Sequence, residues 1–498
     1  MILLLQNRQE YNNDIRAMLM AFYPGVRIAE QSGGQQIQLV FRAEYAEAET
    51  VLALGRPASE TDVPGQEKNA CEVEYIAFEK LAGDYRDKVV FRNRIKRAAY
   101  GLLCAYTGQT LPWGDLTGVR PTKIAMKQLN AGMDFDGIVS YYQEVYDTSA
   151  EKARLAARVA EKELSLVQGI DFNHDYCLYV GIPFCPSRCL YCSFTSYPIA
   201  AYQDKAVEYI EKLKQELAYI ADAYKDKRLV AIYIGGGTPT SISHALLEEL
   251  LDAIDKVYGM GRYAGEDSVC LREYTIEAGR PDSITAEKLR VMKNHGVTRI
   301  SINPQTMNDE TLKTIGRAHT AAQAREAFAM ARGAGFDNIN MDLIAGLPGE
   351  NLDSMRYTLE QVKALNPESI TVHSLAIKRA SNLRQQMDAY GALIHQDMDA
   401  MHALAAETAA ELGMEPYYLY RQKNIGGNLE NVGYSKKGFE CLYNILIMEE
   451  MTDIIAAGAG ASTKLTFHAE NRVERVENCK SVDDYIDRFD EMLARKKL

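Results

Sequence analysis

The chain has 498 residues, a formal net charge of −12, and a composition that is 47% hydrophobic and 25% charged. These values are typical of a globular protein with room for roughly two to four domains. The acidic balance argues against a general nucleic-acid or anionic-membrane binder, although it is compatible with a local basic pocket. An odd count of nine cysteines argues against a secreted disulfide framework and favours a reducing compartment.

The N-terminus is too polar for a signal peptide. The apolar run Ile2–Leu5 is followed at once by polar and charged residues. No stretch approaches the roughly eighteen consecutive apolar residues of a membrane span. We therefore expect a cytoplasmic protein that does not bind membranes.

Residues 1 to about 165 are predicted to form an α+β region. Ile2–Leu5 is a short apolar run, Gln36–Arg42 alternates like a strand, and about Lys80–Tyr106 follows a helical pattern. The single tryptophan, Trp113, lies in a loop with proline and glycine. No motif with evident chemistry occurs here, so the sequence leaves the role of this region open.

From about Asp175, short apolar runs alternate with helical patterns. The predicted strands are Tyr176–Ile182, Leu229–Gly235, Tyr274–Ala278, Arg299–Asn303, Asn338–Ile344 and Ser369–Ser374. The predicted helices between them are Tyr202–Tyr224, His244–Val257, Ala286–His295, Ala321–Arg332 and Ser354–Leu365. This alternation indicates a parallel sheet with too few strands for a closed eight-stranded barrel. We therefore expect an α/β fold with a partial (β/α)6 TIM-like barrel over about 170–380, followed by a mixed C-terminal extension over 381–498. The active site should lie at the C-terminal ends of the strands.

Three cysteines follow the first of these strands within one short segment. Cys185, Cys189 and Cys192 have the spacing C-x3-C-x2-C. Thiolates bind soft metals, and a loop this tight can wrap three sulfurs around one centre. A [4Fe–4S] cube has four irons, so three thiolates leave one iron open to a small molecule. The spacing therefore favours an iron–sulfur cluster.

Zinc is the alternative occupant of this loop. Zinc sites usually combine paired C-x2-C elements into four ligands, and a second pair is missing from the sequence. Cys177 is the candidate fourth ligand, but its position on a strand is more typical of a buried structural thiol.

The segment Tyr179-Val-Gly-Ile-Pro-Phe-Cys-Pro-Ser-Arg-Cys-Leu-Tyr-Cys192 resembles the cysteine motif of the radical S-adenosylmethionine (SAM) superfamily. Within it, residues 170–380 are similar to the oxygen-independent coproporphyrinogen III oxidases, also termed dehydrogenases. The segment Trp113-Gly-Asp-Leu-Thr-Gly-Val-Arg-Pro-Thr-Lys123 resembles the HemZ-type branch of that family. The resemblance implies a radical SAM barrel and two cofactors, SAM and a [4Fe–4S] cluster on the three cysteines.

The resemblance also implies SAM contacts at the next strand ends. In Ile234-Gly-Gly-Gly-Thr-Pro-Thr240, the glycine run lets the backbone approach a ligand closely. The corresponding family segment contacts the SAM amino group, which carries over to Gly236, Gly237 and Thr238. Glu277 ends the third strand and matches a family glutamate that contributes to SAM binding.

Further positions match beyond the third strand. Gln305 and Arg317, twelve residues apart, correspond to a Gln and an Arg that bind SAM in the family. Asp342 ends the fifth strand, where a carboxylate can accept hydrogen bonds from both ribose hydroxyls. His319 is a candidate proton donor, although a packed histidine is the competing interpretation.

Three further positions match the family more loosely, and two depart from it. Tyr179 is expected to reach the SAM carboxylate, Tyr191 lies inside the cysteine loop, and Ala376 is expected to offer a backbone contact to adenine. Gly181 and Phe194 stand where porphyrinogen-oxidising members often have a histidine and a fourth cysteine. That fourth cysteine is not a cluster ligand, so its absence concerns electron or proton handling.

The resemblance also implies which reaction the protein catalyses and which partners it needs. Two propionates of coproporphyrinogen III would become vinyl groups, giving protoporphyrinogen IX in haem biosynthesis, through a 5′-deoxyadenosyl radical from SAM. The expected partners are coproporphyrinogen III and a reduced flavodoxin- or ferredoxin-type electron donor, and the expected state is a monomer. The substrate carries four carboxylates, for which Lys378, Arg379, Arg421 and Lys423 are candidate basic contacts.

Three rival functions stay open at this point. A haem-trafficking chaperone of the same superfamily carries a C-terminal His-Asn motif ending in Tyr-Trp, whereas the corresponding stretch here begins Cys441-Leu-Tyr-Asn444. A radical SAM methyltransferase or ring-opening enzyme acting on tetrapyrroles is the second rival. A zinc-stabilised binding module is the third.

Overall fold

The structure is a computed structural model that describes residues 1–31, 36–57, 73–118, 120–260, 271–378, 380–386, 390, 397–421 and 429–496. The chain divides into two compact units, Met1–Ala157 with Arg421–Glu430, and Arg158–Tyr420 with Asn431–Leu498. Among the described residues, no helix has the length and apolar character needed to cross a bilayer.

The first unit contains a five-stranded sheet and helices. Its strands are β1 (Ile2–Gln6), β2 (Ile28–Ala29), β3 (Leu39–Tyr45), β4 (Glu49–Pro57) and β5 (Val73–Ala82). Its helices are α1 (Asn12–Phe22), α2 (Lys88–Thr107), α3 (Thr122–Asn130) and α4 (Phe135–Tyr146), and α5 (Ala150–Leu166) crosses the division of the chain. The sheet order is β2-β1-β3-β4-β5, and β3, β4 and β5 run antiparallel.

The core of this unit lies between its sheet and helices α1 and α2. Alternate residues of the strands and one face of each helix form a single buried cluster. Helix α2 begins later than the sequence pattern predicts. Residues up to Ala82 extend β5 along β4, and the helix starts after Asp87, whose carboxylate accepts a hydrogen bond from the Val90 amide at 3.3 Å.

A buried polar cluster in the first unit surrounds Trp113. The indole Nε1 donates to Glu430 at 2.7 Å, and Lys152 Nζ donates to the other Glu430 oxygen at 2.9 Å. The Arg421 guanidinium lies over the Trp113 ring at 5.4 Å and donates to the carbonyl oxygens of Leu116 and Gly118. Arg421 is therefore a buried structural cation, which argues against its use as an exposed basic contact for a substrate.

The second unit is built on an eleven-stranded sheet. Its strands are β6 (Asp175–Ile182), β7 (Phe184–Cys185), β8 (Tyr197–Pro198), β9 (Arg228–Gly236), β10 (Glu273–Glu277), β11 (Arg299–Ser301), β12 (Ile339–Ala345), β13 (Ser369–Ser374), β14 (Glu415–Arg421), β15 (Glu430–Ser435), β16 (Asp453–Ala457), β17 (Ser462–Phe467) and β18 (Arg472–Glu477). Strands β7 and β8 form a separate two-stranded pair.

The helices of this unit follow its strands along the chain. They are α6 (Gln203–Ala223), α7 (His244–Tyr258), α8 (Ala286–Asn294), α9 (Asp309–Thr314), α10 (Ala321–Gly333), α11 (Leu352–Leu365), α12 (Asn382–Gln385), α13 (Met398–Glu411), α14 (Leu442–Glu449), α15 (Val482–Asp487) and α16 (Phe489–Arg495). Several start at side-chain caps, including capping boxes at Thr320 and Asn351.

The large sheet has the order β14-β15-β13-β12-β11-β10-β9-β6-β16-β17-β18. Strands β6 and β9 to β13 are parallel neighbours, which is the predicted (β/α)6 arrangement. Their interiors are almost continuously buried because helices cover one face and side chains fill the other. The predicted fold class is confirmed, and the six predicted strands agree with the observed ones to within two residues at each end.

The C-terminal extension joins the sheet at both ends. Strand β15 pairs antiparallel with β13, while β16 pairs parallel with β6 and leads into β17 and β18. The sequence predicts only mixed structure for this extension. Strands β15 and β16 are short and lie at least sixty residues from β13 and β6 along the chain, so no local pattern reveals these pairings.

Candidate functional site

The cysteine loop and the glycine run cross each other at the C-terminal ends of β6 and β9. The Gly237 amide donates to the carbonyl oxygen of Ile182 at 2.8 Å, and the Thr238 amide donates to that of Phe184 at 2.7 Å. The Thr238 hydroxyl lies 3.5 Å from Cys185 Sγ. Residues predicted from two separate motifs therefore lie against each other.

Glycine is required at this crossing. Gly236 has φ +115°, and a Cβ there would lie 3.0 Å from the carbonyl oxygen of Ile182. A Cβ on Gly237 would lie 2.5 Å from the carbonyl oxygen of Phe184 and 3.0 Å from Cys185 Sγ. Because positions 236 and 237 are glycine, backbone atoms rather than side chains lie beside Cys185.

The cysteine loop is anchored by an apolar cluster at its far side. Leu190 packs with Leu312, Ile315 and Leu383, among others. The Leu190 amide donates to the Ile315 carbonyl at 2.9 Å, and the Leu383 amide donates to the Leu190 carbonyl at 2.8 Å. These contacts orient the loop between the second and third cysteines.

Cys185, Cys189 and Cys192 are free thiols. Burial raises the pKa of Cys185 and of Cys192, and charge on the nearby Cys189 raises both further. A cationic metal centre would offset both effects, because it stabilises thiolates. The donor set therefore fits a [4Fe–4S] cluster.

The described residues contain no group of three or more His, Cys, Asp or Glu side chains placed to hold a single metal ion. A cube-type cluster spreads its thiolates over separate irons, whereas zinc gathers its ligands around one ion. Cys177, the candidate fourth ligand, is fully buried on β6 with its sulfur 3.8 Å from the Thr452 hydroxyl. Cys177 is therefore a packed thiol of the sheet, as its strand position predicted.

Three tyrosine rings are stacked inside the barrel beside Glu277. Tyr233 stacks on Tyr443 with ring centroids 4.5 Å apart and on Tyr179 at 6.3 Å. The Tyr233 hydroxyl donates to Glu277 Oε1 at 2.6 Å. Burial raises the pKa of Glu277 to about 7, with the charge of Asp342 adding to the effect. Glu277 therefore changes its charge within the physiological pH range.

Asp342 is held as an anion. It lies in the middle of β12 rather than at the strand end where it was expected, because β12 continues along β13 to Ala345. Burial alone would raise its pKa, but His373 and Asn340 together hold the pKa below its ordinary value. Asn340 Nδ2 donates to Oδ1 at 2.7 Å, and His373 Nε2 lies 3.6 Å from Oδ2. An ionised carboxylate at this point can accept hydrogen bonds from hydroxyl groups.

Gln305 occupies a strained position between β11 and β12. Its φ is +68°, in the left-handed region that non-glycine residues rarely adopt. Its amide donates to the Asp342 carbonyl at 3.0 Å, and its carbonyl accepts from the Ile344 amide at 3.0 Å. The buried Oε1 atom has no hydrogen-bond partner within the described chain. A strained residue with an unsatisfied amide oxygen is typical of a ligand site.

Arg317 joins the cysteine loop to the third and fourth strand ends. Nη1 donates to the Tyr191 hydroxyl at 3.1 Å, and Nη2 donates to the carbonyls of Gly279 and Asn303 at 3.1 and 2.6 Å. The buried Nε has no partner in the described residues. The protein therefore bonds two of the three guanidinium nitrogens.

His319 is buried, and burial lowers its pKa to about 3. Its imidazole is therefore neutral near pH 7, which argues against the proton-donor hypothesis. Ala376 is half-buried just beyond β13, next to the Leu375 amide that bonds the Ala345 carbonyl at 3.0 Å.

Of the expected basic contacts, Lys378 is half-buried with its ammonium 5.6 Å from the centre of the Phe194 ring. Arg379 and Lys423 lie outside the described residues, so their predicted roles stay predictions.

The predicted site residues lie at or beyond the C-terminal ends of β6, β9, β10, β11 and β13, except Tyr179 and Asp342, which lie within β6 and β12. The site also contains residues that the sequence analysis missed. Tyr233 could have been found, because it lies two positions before the first glycine of the run and shares its strand face. Tyr443 had no such signal, since it reaches the stack from helix α14.

The radical SAM superfamily model matches residues 179–362. The chain is 38% identical over 452 residues to the oxygen-independent coproporphyrinogen-III oxidase-like protein HemZ of Bacillus subtilis, covering 89% of this chain and 88% of that protein. It is 32% identical over 293 residues to the heme chaperone HemW of Haemophilus influenzae, covering 58% of this chain and 70% of HemW.

A fold match is found with the coproporphyrinogen III oxidase HemN of Escherichia coli, a radical SAM enzyme. The TM-score is 0.53 at 21% identity, over 68% of this chain and 73% of HemN. This superfamily uses a [4Fe–4S] cluster and SAM, the two cofactors predicted from the cysteine motif. The chain belongs to the radical SAM superfamily and, within it, to the family of the coproporphyrinogen-III oxidase-like protein HemZ.

Proposed function

We propose that this protein catalyses the oxygen-independent oxidative decarboxylation of coproporphyrinogen III to protoporphyrinogen IX. The observation that carries the proposal is that Gly237 crosses Cys185. The cysteine loop and the glycine backbone after β9 therefore lie next to each other. Similarity to HemZ over 88% of that protein supports the porphyrinogen substrate.

In the proposal, Cys185, Cys189 and Cys192 would hold the [4Fe–4S] cluster. When bound, the cluster would supply the electron for reductive cleavage of SAM to methionine and a 5′-deoxyadenosyl radical. The chain itself contributes position and exclusion of water, because the strand ends surrounding the site are almost entirely buried.

The SAM residues divide between the two polar ends of that molecule. Gly236, Gly237 and Thr238 present backbone groups, and Glu277 presents a carboxylate, to the SAM amino group. Asp342, held ionised, accepts from the ribose hydroxyls.

Other residues complete the SAM site in this proposal. Gln305 offers its unsatisfied amide oxygen, and Arg317 offers Nε. Tyr191 orients Arg317 through the bond of 3.1 Å. Tyr179 contacts the SAM carboxylate, and Ala376 contacts adenine through its backbone.

The proposed reaction converts two propionate side chains to vinyl groups. Each propionate loses one β-hydrogen to the radical, then CO₂ and one electron, so an electron acceptor is required for each conversion. A reduced flavodoxin- or ferredoxin-type protein supplies the initiating electron. We further propose a cytoplasmic monomer in which residues 170–380 carry the chemistry and residues 381–498 cover the substrate.

A haem chaperone is the second candidate, since similarity to HemW of Haemophilus influenzae covers 70% of that protein. The segment that corresponds to the chaperone's His-Asn motif supports the oxidase instead. Cys441 is fully buried and its thiol donates to Glu273 Oε1 at 3.2 Å, while Tyr443 belongs to the tyrosine stack. Both side chains are packed inside the second unit.

The test is anaerobic incubation of reconstituted protein with SAM, reductant and coproporphyrinogen III. We expect 5′-deoxyadenosine, together with two successive product masses that each lack CO₂ and two hydrogens. Cys185→Ala should abolish both products, whereas Cys479→Ala, at a half-buried thiol outside the cysteine motif, should retain them. Deoxyadenosine without vinyl product would refute the substrate, and gain of a methyl group would indicate a methyltransferase.

Haem titration of the same preparation separates the chaperone. The oxidase proposal predicts no stoichiometric haem binding. Tight binding of one haem per chain without turnover of coproporphyrinogen III would favour the chaperone.

A further inference from the structure

Arg280 lies buried in the loop after β10, with 3% of its surface exposed. Its Nε donates to Asp282 Oδ1 at 2.9 Å and its Nη2 donates to Oδ2 at 2.8 Å. Two parallel bonds to one carboxylate fix both the plane and the direction of the guanidinium. The remaining donors of Arg280 therefore point in a defined direction.

Those donors reach the cysteine loop. Nη1 donates to the Ser187 carbonyl at 3.3 Å, and both Nη1 and Nη2 reach the Ser187 hydroxyl at 3.2 and 3.3 Å. Nη1 also donates to Cys189 Sγ at 3.6 Å. A fixed positive charge thus contacts the sulfur of the second loop cysteine. Thr238, in contrast, approaches Cys185 Sγ with a neutral hydroxyl.

Hydrogen bonds to ligand sulfurs and local charge are two of the factors that set the reduction potential of an iron–sulfur cluster. The reduced cluster carries one more negative charge than the oxidised one. A cation bonded to a ligand sulfur stabilises the reduced state more strongly, and it therefore raises the potential.

We propose that Arg280 is a positioning residue that donates a charged hydrogen bond to the Cys189 sulfur and raises the reduction potential of the cluster. The inference rests on the proposed cluster site, and it goes beyond that site by assigning control of its redox potential to a residue outside the cysteine motif. Asp282 serves this role indirectly, because it aims the guanidinium at Cys189.

The test is a redox titration of the reconstituted protein without SAM, followed by the electron paramagnetic resonance signal of the reduced cluster. Arg280→Gln should lower the midpoint potential. At the wild-type midpoint, we expect the ratio of reduced to oxidised cluster to fall about tenfold, which corresponds to about 59 mV for a one-electron couple. Arg290→Gln, which removes the same charge from an exposed position on α8, should leave the midpoint unchanged.

Iron and sulfide contents identify which proposal fails. A wild-type protein that binds neither would refute the cluster site and this inference with it. A loaded Arg280→Gln protein with an unshifted midpoint would overturn this inference alone. If Arg280→Gln does not load, Arg280→Met is titrated instead. Methionine removes both the charge and the N–H donors, so a wild-type midpoint in that variant would equally overturn the role of Arg280, and a lowered one would support it.

Discussion

The backbone of Gly237 passes so close to the sulfur of Cys185 that a Cβ at position 237 would lie 3.0 Å from it. The same atom would lie 2.5 Å from the carbonyl oxygen of Phe184, a separation that requires the backbone to move. The C-terminal end of β9 therefore controls the geometry of the cysteine loop, which follows β6.

Gly237→Ala should lose the cluster while keeping the fold. The added methyl group displaces the Phe184–Cys185 segment, so we expect iron and sulfide after anaerobic reconstitution to fall to less than half of the wild-type content. The matched control is Gly333→Ala at the end of α10, where no atom beyond its chain neighbours and its own helix backbone lies within 4 Å of the new methyl group. Equal iron in the two variants, with unchanged circular dichroism, would contradict the proposed close packing.

SAM affinity should increase with pH through the titration of Glu277. Burial raises the pKa of this carboxyl to about 7, so the anion that pairs with the SAM amino group is populated only above that pH. Below it, affinity should fall by up to about tenfold per pH unit. Calorimetric titration of the reconstituted protein with SAM measures this profile. Glu277→Gln should bind SAM more weakly, and its affinity should depend less on pH. A pH profile parallel to that of wild type would show that another group causes the pH dependence.

Tyr191→Phe should weaken SAM binding without removing the cluster. The substitution deletes the acceptor of the 3.1 Å bond from Arg317 Nη1 and leaves the two carbonyl contacts of Nη2 in place. One such hydrogen bond is worth about 0.5–1.5 kcal/mol, so we expect a loss of roughly two- to tenfold in affinity. Arg317→Lys, which loses the fork itself, should lose more. Tyr357→Phe, at a tyrosine that is 46% exposed, is the control and should bind SAM normally.

Asp115→Asn should stabilise the cofactor-free protein above about pH 6. Asp115 is 1% exposed, and burial raises its pKa from 3.8 to about 6, while Lys96 opposes the shift. Because the folded-state pKa lies above the unfolded one, this carboxyl adds stability below its ordinary pKa, and that stability is lost as pH rises through about 6. At about 1.4 kcal/mol per pKa unit, the contribution of Asp115 to the free energy of unfolding falls by roughly 3 kcal/mol from pH values below the unfolded pKa to pH values above the folded pKa.

Urea unfolding at about pH 5 and pH 8 measures roughly half of that difference, because the carboxyl of the unfolded chain is already mostly ionised at pH 5. Wild type should lose stability relative to Asp115→Asn between the two conditions. Asp226→Asn, at an exposed turn residue, should follow wild type at both. If the free energies of unfolding of Asp115→Asn and wild type differ by the same amount at both pH values, the effect of the substitution does not come from ionisation.

Much of the second unit was predictable because its signals are local. The alternation of apolar runs and amphipathic helices yields the parallel strands, and the spacing of Cys185, Cys189 and Cys192 indicates the cluster chemistry. The strand-end position of Glu277 follows from the same alternation, because parallel strands present their C-terminal ends at one edge. Asp342 lies further inside its strand than that alternation predicts.

The sequence by itself therefore determined the fold class, the cofactors and the edge of the sheet that carries the site, since all three follow from residue types at short, regular separations. Only the tertiary structure decided which side chains meet there. The bond from Arg280 to Cys189 spans 91 residues, and the stack of Tyr443 on Tyr233 joins segments about two hundred residues apart. Such contacts depend on how distant segments pack, and on burial that sets the charge of Glu277 and His319, so neither spacing nor composition encodes them in a local pattern.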